Sequence, residues 1–218
     1  MSGATLTVRK MFTLLELLVV ISIIAILAGL LLPALIAAKN KAKVASCSNN
    51  ITGISKAFGM YVMDWDEQIF WGVESNPAYY MDHYVYGGRS TGNLYIGSQG
   101  DLFEHYVPRP LNEYLDNHIE LFHCPNDTET RFSNINTTKF DEVGNSYAFN
   151  HYLSDRKLRA IRRESERIVF TEATVTDNPH GIRWHGKKAN FCYLDGHMAL
   201  GEMSTPQATL DPQWDPDI

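Results

Sequence analysis

Residues 17–38 read LLVVISIIAILAGLLLPALIAA, 22 positions without a charge. Wound as an α-helix they extend about 33 Å, against about 30 Å for the hydrocarbon core of a bilayer. A secretory signal peptide has a shorter apolar region of about 7–15 residues and ends at a small-x-small site. Here the run is longer, and Leu35 and Ile36 stand where small residues are wanted. A membrane anchor is the expected reading. Arg9 and Lys10 flank one end and Lys39, Lys41 and Lys43 the other, so flanking charge sets no orientation. Pro33 lies inside the run, where it removes one backbone hydrogen bond and bends the helix. Glu16 sits at its edge. A carboxylate there costs a few kcal/mol unless it stays near the headgroups or meets a cation, such as one from another subunit.

Working outward, Val44, Cys47, Ile51, Ile54, Phe58, Tyr61 and Trp65 recur at alternating spacings of 3 and 4. That is one apolar stripe on a helix. Gly53 and Gly59 each weaken such a helix by about 1 kcal/mol relative to Ala, so packing must hold it. The expectation is a helix from about Phe12 to about Met63, about 78 Å long. Its transmembrane half spans residues 12–38 and its amphipathic half residues 39–65. Residues 66–218 form a soluble domain. Residues 64–130 are rich in Gly, Pro, Asn and aromatics, which read first as core and loop packing of a small domain. A short helix is expected near Pro110–Asn117, and residues 158–166 read as loop or helical turn. Residues 146–150, 167–172, 189–194 and 197–200 read as strands. Asp195-Gly196 signals a two-residue hairpin turn with positive φ at both positions. The fold class is therefore α+β: a long N-terminal helix packed on a C-terminal antiparallel sheet.

Composition bounds the partners. The chain has 218 residues, suiting one domain with an appendage, and a net charge of −6. Residues 1–43 hold five basic residues and one acidic one; residues 44–218 hold 14 basic and 24 acidic. A phosphate-binding surface needs clustered Lys and Arg, so nucleic acid is not an expected partner.

The run Lys10-Met11-Phe12-Thr13-Leu14-Leu15-Glu16-Leu17-Leu18-Val19-Val20-Ile21 resembles the cleavage and methylation segment of type IV pilins and type II secretion pseudopilins. The resemblance implies cleavage by a prepilin peptidase between Met11 and Phe12, removing a leader of residues 1–11. It further implies methylation of the new Phe12 amine and pairing of Glu16 with the terminal amine of a neighbouring subunit. Met11 stands where the family strongly prefers Gly. Pro33 matches the proline common in that family's helix, whose long helix carries a globular head. His185, nine residues, then Asp195-Gly196 resembles the H-x9-DG signature of one branch of pilin-like proteins. Cys47-Ser48-Asn49-Asn50, Cys124-Pro125-Asn126-Asp127 and residues 146–150 resemble the same branch, whereas residues 72–120 match nothing in it. The implied partners are other pilin or pseudopilin subunits, the peptidase and the inner membrane. The implied location is a single-pass inner-membrane protein with its globular domain in the periplasm or on the cell surface.

The remaining candidates are few. Three cysteines beyond a membrane face an oxidising compartment, where three single pairings are open. Cys47–Cys124 is favoured because it staples the helix to the loop-rich region, with Cys192 a small buried residue of a strand. Were the intervening residues extended, His185 and Asp195 would stand about 30 Å apart, which favours structural roles over a catalytic or metal pair. Major pseudopilins bind calcium in a C-terminal loop, and Asp195, Asp211, Asp215 and Asp217 offer hard oxygens, though not at EF-hand spacing. No other cofactor is implied. No nucleophile elbow, HExxH or phosphate-cradling loop occurs, so the expectation is a structural subunit and not an enzyme. The alternative is a membrane-anchored envelope module that binds a glycan or protein and does not polymerise.

Overall fold

The computed structural model describes residues 13–70, 86–89, 109–128, 137–154, 156–176, 184–186 and 188–202. The processing residues Met11 and Phe12 and the tail carboxylates Asp211, Asp215 and Asp217 lie outside them. Helix α1 spans Leu14–Asp64. Two compact units divide the chain, one through Ala42 and one from Lys43.

In the first unit α1 is apolar on all sides. Its large side chains from Leu14 to Ile36 are 47–88% exposed. None of its most apolar window is buried within the chain, and it is long and apolar enough to cross a membrane. A helix without a polar face wants lipid or other apolar helices around it. Pro33 lies within α1.

In the second unit α1 becomes one-sided. Cys47, Ile51, Ile54, Ala57, Phe58, Tyr61 and Val62 are buried. The stripe is wider than the 3-4 spacing alone implies, because Ala57 and Val62 flank it. It also ends sooner: Trp65 is 53% exposed and stacks its ring on Tyr61 at 5.6 Å. The helix stops through Asp66 and Glu67, both left-handed, with φ of 53° and 62°. Lys157 Nζ donates to the Asp66 carbonyl and carboxylate, each at 2.7 Å, and Leu158 N donates to Glu67 O at 2.8 Å. These bonds hold a conformation that non-glycine residues seldom adopt.

The sheet has four antiparallel strands in the order β1 (Tyr147–Phe149), β2 (Ile168–Glu172), β3 (Ala189–Tyr193) and β4 (Met198–Gly201). The α+β layout is thus present. Side chains alternate across a pleated strand. Tyr147, Phe149, Phe170 and Cys192 join the cluster that holds the α1 stripe, while Ile168, Ala189 and Phe191 form a second cluster with Val175. The pairing slips between Ile168 and Phe170, so Val169 is an extra residue in β2. This bulge puts Val169 and Phe170 in the same cluster. Phe58 fills the space between helix and sheet, its ring 5.5 Å from Phe170, 5.4 Å from Phe70 and 6.3 Å from Phe149.

Short helices complete the unit. α2 (Leu111–Tyr114) lies inside the expected 110–117 segment, and single 3-10 turns occupy residues 158–160 and 164–166. α3 (Lys139–Val143) has no counterpart in the sequence reading. It forms because the Asp127 carboxylate accepts from Lys139 N at 2.9 Å and Phe140 N at 2.8 Å, while Thr138 caps Asp141 N. Burial raises the Asp127 carboxyl above the ordinary carboxylate range, against these bonds. Gly144 ends α3 with φ of 80°, and a Cβ there would collide with Arg89 O.

The hairpin at Asp195-Gly196 differs from expectation. Gly196 alone is left-handed, at φ 88°. Gly196 N donates to Tyr193 O at 2.8 Å and Tyr193 N to His197 O at 3.0 Å. The loop is therefore three residues, Leu194–Gly196, a turn followed by one left-handed residue.

Glycine has opposite meanings in α1 and after α3. Nothing lies within 4 Å of a Cβ built on Gly53 or Gly59. Gly53→Ala and Gly59→Ala should each raise stability by about 0.5–1 kcal/mol. Gly144→Ala should lower it by more than that. Thermal melts of the full chain in detergent, followed by near-ultraviolet circular dichroism, check both; a lower melting temperature for Gly53→Ala would contradict the packing described.

Candidate functional site

Two places hold the sequence candidates. The first is the opening turn of α1. Thr13 Oγ1 accepts from Glu16 N at 3.2 Å, and Glu16 Oε2 accepts from Thr13 N and Thr13 Oγ1, each at 2.8 Å. This reciprocal capping box satisfies amides that a helix start leaves open. It also fixes the Glu16 carboxylate at the positive end of the helix dipole. Among the described residues no cation pairs with Glu16. Its carboxylate is held in place by Thr13.

The second place is buried in the globular unit. Cys47 of α1 and Cys124 form a disulfide, and both are fully buried. Cys192 is the free cysteine among the described residues; burial pushes its thiol up to about 11, which keeps it protonated and unreactive. Against the disulfide lies His185, its Nε2 3.8 Å from Cys124 Sγ. The chain doubles back at Gly186 (φ 71°), with Lys188 N donating to His185 O at 3.3 Å. That reversal turns His185 inward, and its side chain is 1% exposed.

The partners of His185 define its protonation. Asn126 Nδ2 donates one hydrogen to Trp184 O at 3.1 Å and directs the other at His185 Nδ1, 2.7 Å away. Nδ1 is therefore the acceptor and Nε2 carries the hydrogen. Nε2–H donates to Glu172 Oε1 at 2.9 Å. The same oxygen accepts from Asn190 Nδ2 at 2.7 Å and Asn190 N at 3.3 Å. Glu172 is fully buried, and its Oε2 has no hydrogen-bond partner. Asn50 of α1 borders this group, donating to His123 O at 2.9 Å and to Tyr147 Oη at 3.3 Å.

This gives the expected structural role of His185 its content. It is the middle of a buried network with Glu172, Asn126 and the disulfide. Asp195 is elsewhere and exposed. Its Oδ1 accepts from His197 N at 3.1 Å and contacts His197 Nδ1 at 2.6 Å, which with the hairpin amides holds its carboxyl below the usual range despite partial desolvation. Gly196 makes the hairpin turn. The sequence reading missed Glu172, Asn126 and Asn190. One signal was present: Glu172 closes an otherwise apolar run, Ile168-Val169-Phe170-Thr171, where a buried acid demands a partner. The second strand partner, Asn190, stands likewise between Ala189 and Phe191.

Comparison of the chain with family models, curated proteins and solved structures finds no match. Chemistry must therefore be read from the groups themselves. Both nitrogens of His185 are engaged and the cluster is sealed from solvent, so as it stands it binds the elements together: α1 and the 124–126 turn through the disulfide, β2 and β3 through Glu172 and Asn190.

Removing Glu172 leaves three buried donors without an acceptor. Glu172→Ala should cost about 3–5 kcal/mol. Glu172→Gln keeps an acceptor oxygen and should cost about 1–2 kcal/mol. Thermal melts of the two variants in detergent test this ordering; equal losses would mean that His185 is held by charge and not by the neutral donor geometry.

Proposed function

We propose that the protein is a structural, pilin-like subunit anchored in the inner membrane, processed before Phe12 and assembled through the apolar part of α1 into a type IV pilus or a secretion pseudopilus. The observation that carries this reading is the all-round apolar surface of α1 from Leu14 to Ile36, headed by Glu16. Such a surface is stable in lipid, and equally against like helices from other subunits. A carboxylate in that setting calls for a cation, and a buried pair of opposite charges is tolerated where either alone is not. The amine of Phe12 on a neighbouring subunit is the cation that the sequence resemblance implies. Thr13 holds the Glu16 carboxylate at the helix start. The disulfide fits a head that faces an oxidising compartment.

A second reading is favoured by Met11 in place of the usual Gly: an unprocessed, membrane-anchored envelope module that does not polymerise. It keeps the anchor and loses the amine at Phe12, so Glu16 then remains an interfacial, hydrated group.

The two readings differ at Glu16. In the subunit reading, Glu16→Ala should reduce incorporation into sedimentable filaments by roughly a hundredfold, the ratio that about 3 kcal/mol sets, while the amount in the membrane stays constant. Quantitative immunoblotting of sheared and membrane fractions measures it. Unchanged incorporation would rule out a register role for this carboxylate.

A further inference from the structure

The groups around the disulfide are metal ligands in every respect but the bond between the sulfurs. Cys47 Sγ, Cys124 Sγ and a ring nitrogen of His185 all lie within 4.8 Å of one another. Cys124 Sγ stands 3.8 Å from His185 Nε2, and Glu172 Oε1 stands 2.9 Å from the same nitrogen. Glu172 adds an independent sign, a buried Oε2 without a hydrogen-bond partner. A tetrahedral zinc ion, with Zn–S about 2.3 Å and Zn–N or Zn–O about 2.0–2.2 Å, separates neighbouring ligand atoms by about 3.3–3.8 Å. The His185 nitrogen and the Cys124 sulfur, 3.8 Å apart, stand at that spacing already. Opening the S–S bond frees the second sulfur to complete it.

We infer that in the reduced chain Cys47, Cys124 and His185 bind one zinc ion, and that zinc and the disulfide are alternative occupants of the same three-residue centre. This inference stands apart from the filament reading and does not depend on it. A newly made chain carries both cysteines as thiols, so the zinc form precedes oxidation. In a chain already oxidised, a dithiol reductant supplies two electrons and two protons to the cystine and itself becomes a disulfide. Zinc then displaces the two thiol protons, forming two Zn–S bonds. His185 keeps one ring proton but must carry it on Nδ1, leaving Nε2 free for the metal. Asn126 accordingly turns its amide to offer Oδ1 to that proton, giving up its bond to Trp184 O. Asn126 is thus a positioning residue that favours the oxidised state as drawn and supports the metal once turned. The ligand set of two thiolates and an imidazole suits zinc or cobalt, whereas calcium and magnesium want oxygen alone.

Cobalt(II) is the probe for the test. The full chain in detergent micelles is reduced without air by a water-soluble trialkylphosphine. The phosphine takes its oxygen from water and leaves two cysteine thiols. Titration with cobalt(II) should give thiolate-to-cobalt charge-transfer and tetrahedral d–d absorption, saturating at one ion per chain and lost on adding zinc. The oxidised chain should give neither. Cys192→Ser should leave the spectrum unchanged, because that thiol is outside the centre. His185→Gln should weaken cobalt binding by roughly tenfold or more, and circular dichroism checks that this variant is folded. A reduced wild-type chain with no such absorption overturns the inference whatever the variants do. Absorption that survives in Cys47→Ser/Cys124→Ser, or that vanishes in Cys192→Ser, overturns it as well.

Discussion

A carboxylate with no access to water lies at the middle of the globular unit, and the surrounding architecture answers to it. Glu172 ends β2 on the helix-facing side of the sheet. A buried acid needs donors to offset its lost hydration, and here all three converge on one oxygen, Oε1. Asn190 supplies two from the neighbouring strand, and His185 supplies one from a segment that reverses at Gly186 to deliver it. Asn126 selects the tautomer that can donate. Asn126 is two residues beyond Cys124, whose disulfide reaches α1. One unpaired acid would thus loosen a strand pair, a turn and a helix together. The aromatic packing of Phe58, Phe70, Phe149 and Phe170 adds bulk to the same interface, but it does not fix register as directional hydrogen bonds do.

Much of this fold is written in local patterns. The buried face of α1 follows from the 3-4 spacing between Cys47 and Tyr61, and four strands follow from short β-branched and aromatic runs bounded by turn residues. What escaped was set by contacts remote in sequence. α3 is five residues long and starts because Asp127, twelve positions earlier, caps it. The extra residue in β2 is invisible because Ile168, Val169 and Phe170 are all apolar and the strand is buried on both faces. Trp65 extends the helical period by one step beyond the point where left-handed Asp66 and Glu67 end the helix. The Asp195-Gly196 pair marks the hairpin, but the loop gains Leu194 because Gly196 alone takes positive φ.

The buried network was legible only in fragments. His185, Cys47 and Cys124 each stood out as residues, yet their meeting depends on folding across long stretches of chain that local patterns do not encode. Asn126 is 59 positions from His185 and Cys124 is 61. Nothing in a single sequence says which polar side chains across such separations will share a cavity. The informative trace was an acid inside an apolar strand, since its burial obliges a donor to be brought from elsewhere.

The first unit poses the complementary constraint. From Leu14 to Ile36 there is no polar face at all, and the helix opens on a carboxylate already oriented by Thr13. Lipid or like helices would satisfy the apolar surface, and water or a cation would satisfy Glu16. Cleavage before Phe12 would create that cation four residues away on every copy of the chain. The measurement that bears most directly on this account is mass spectrometry of the N-terminal peptide from native membranes. The account predicts a chain beginning at an N-methylated Phe12. A chain still beginning at Met1 or Ser2 would contradict it.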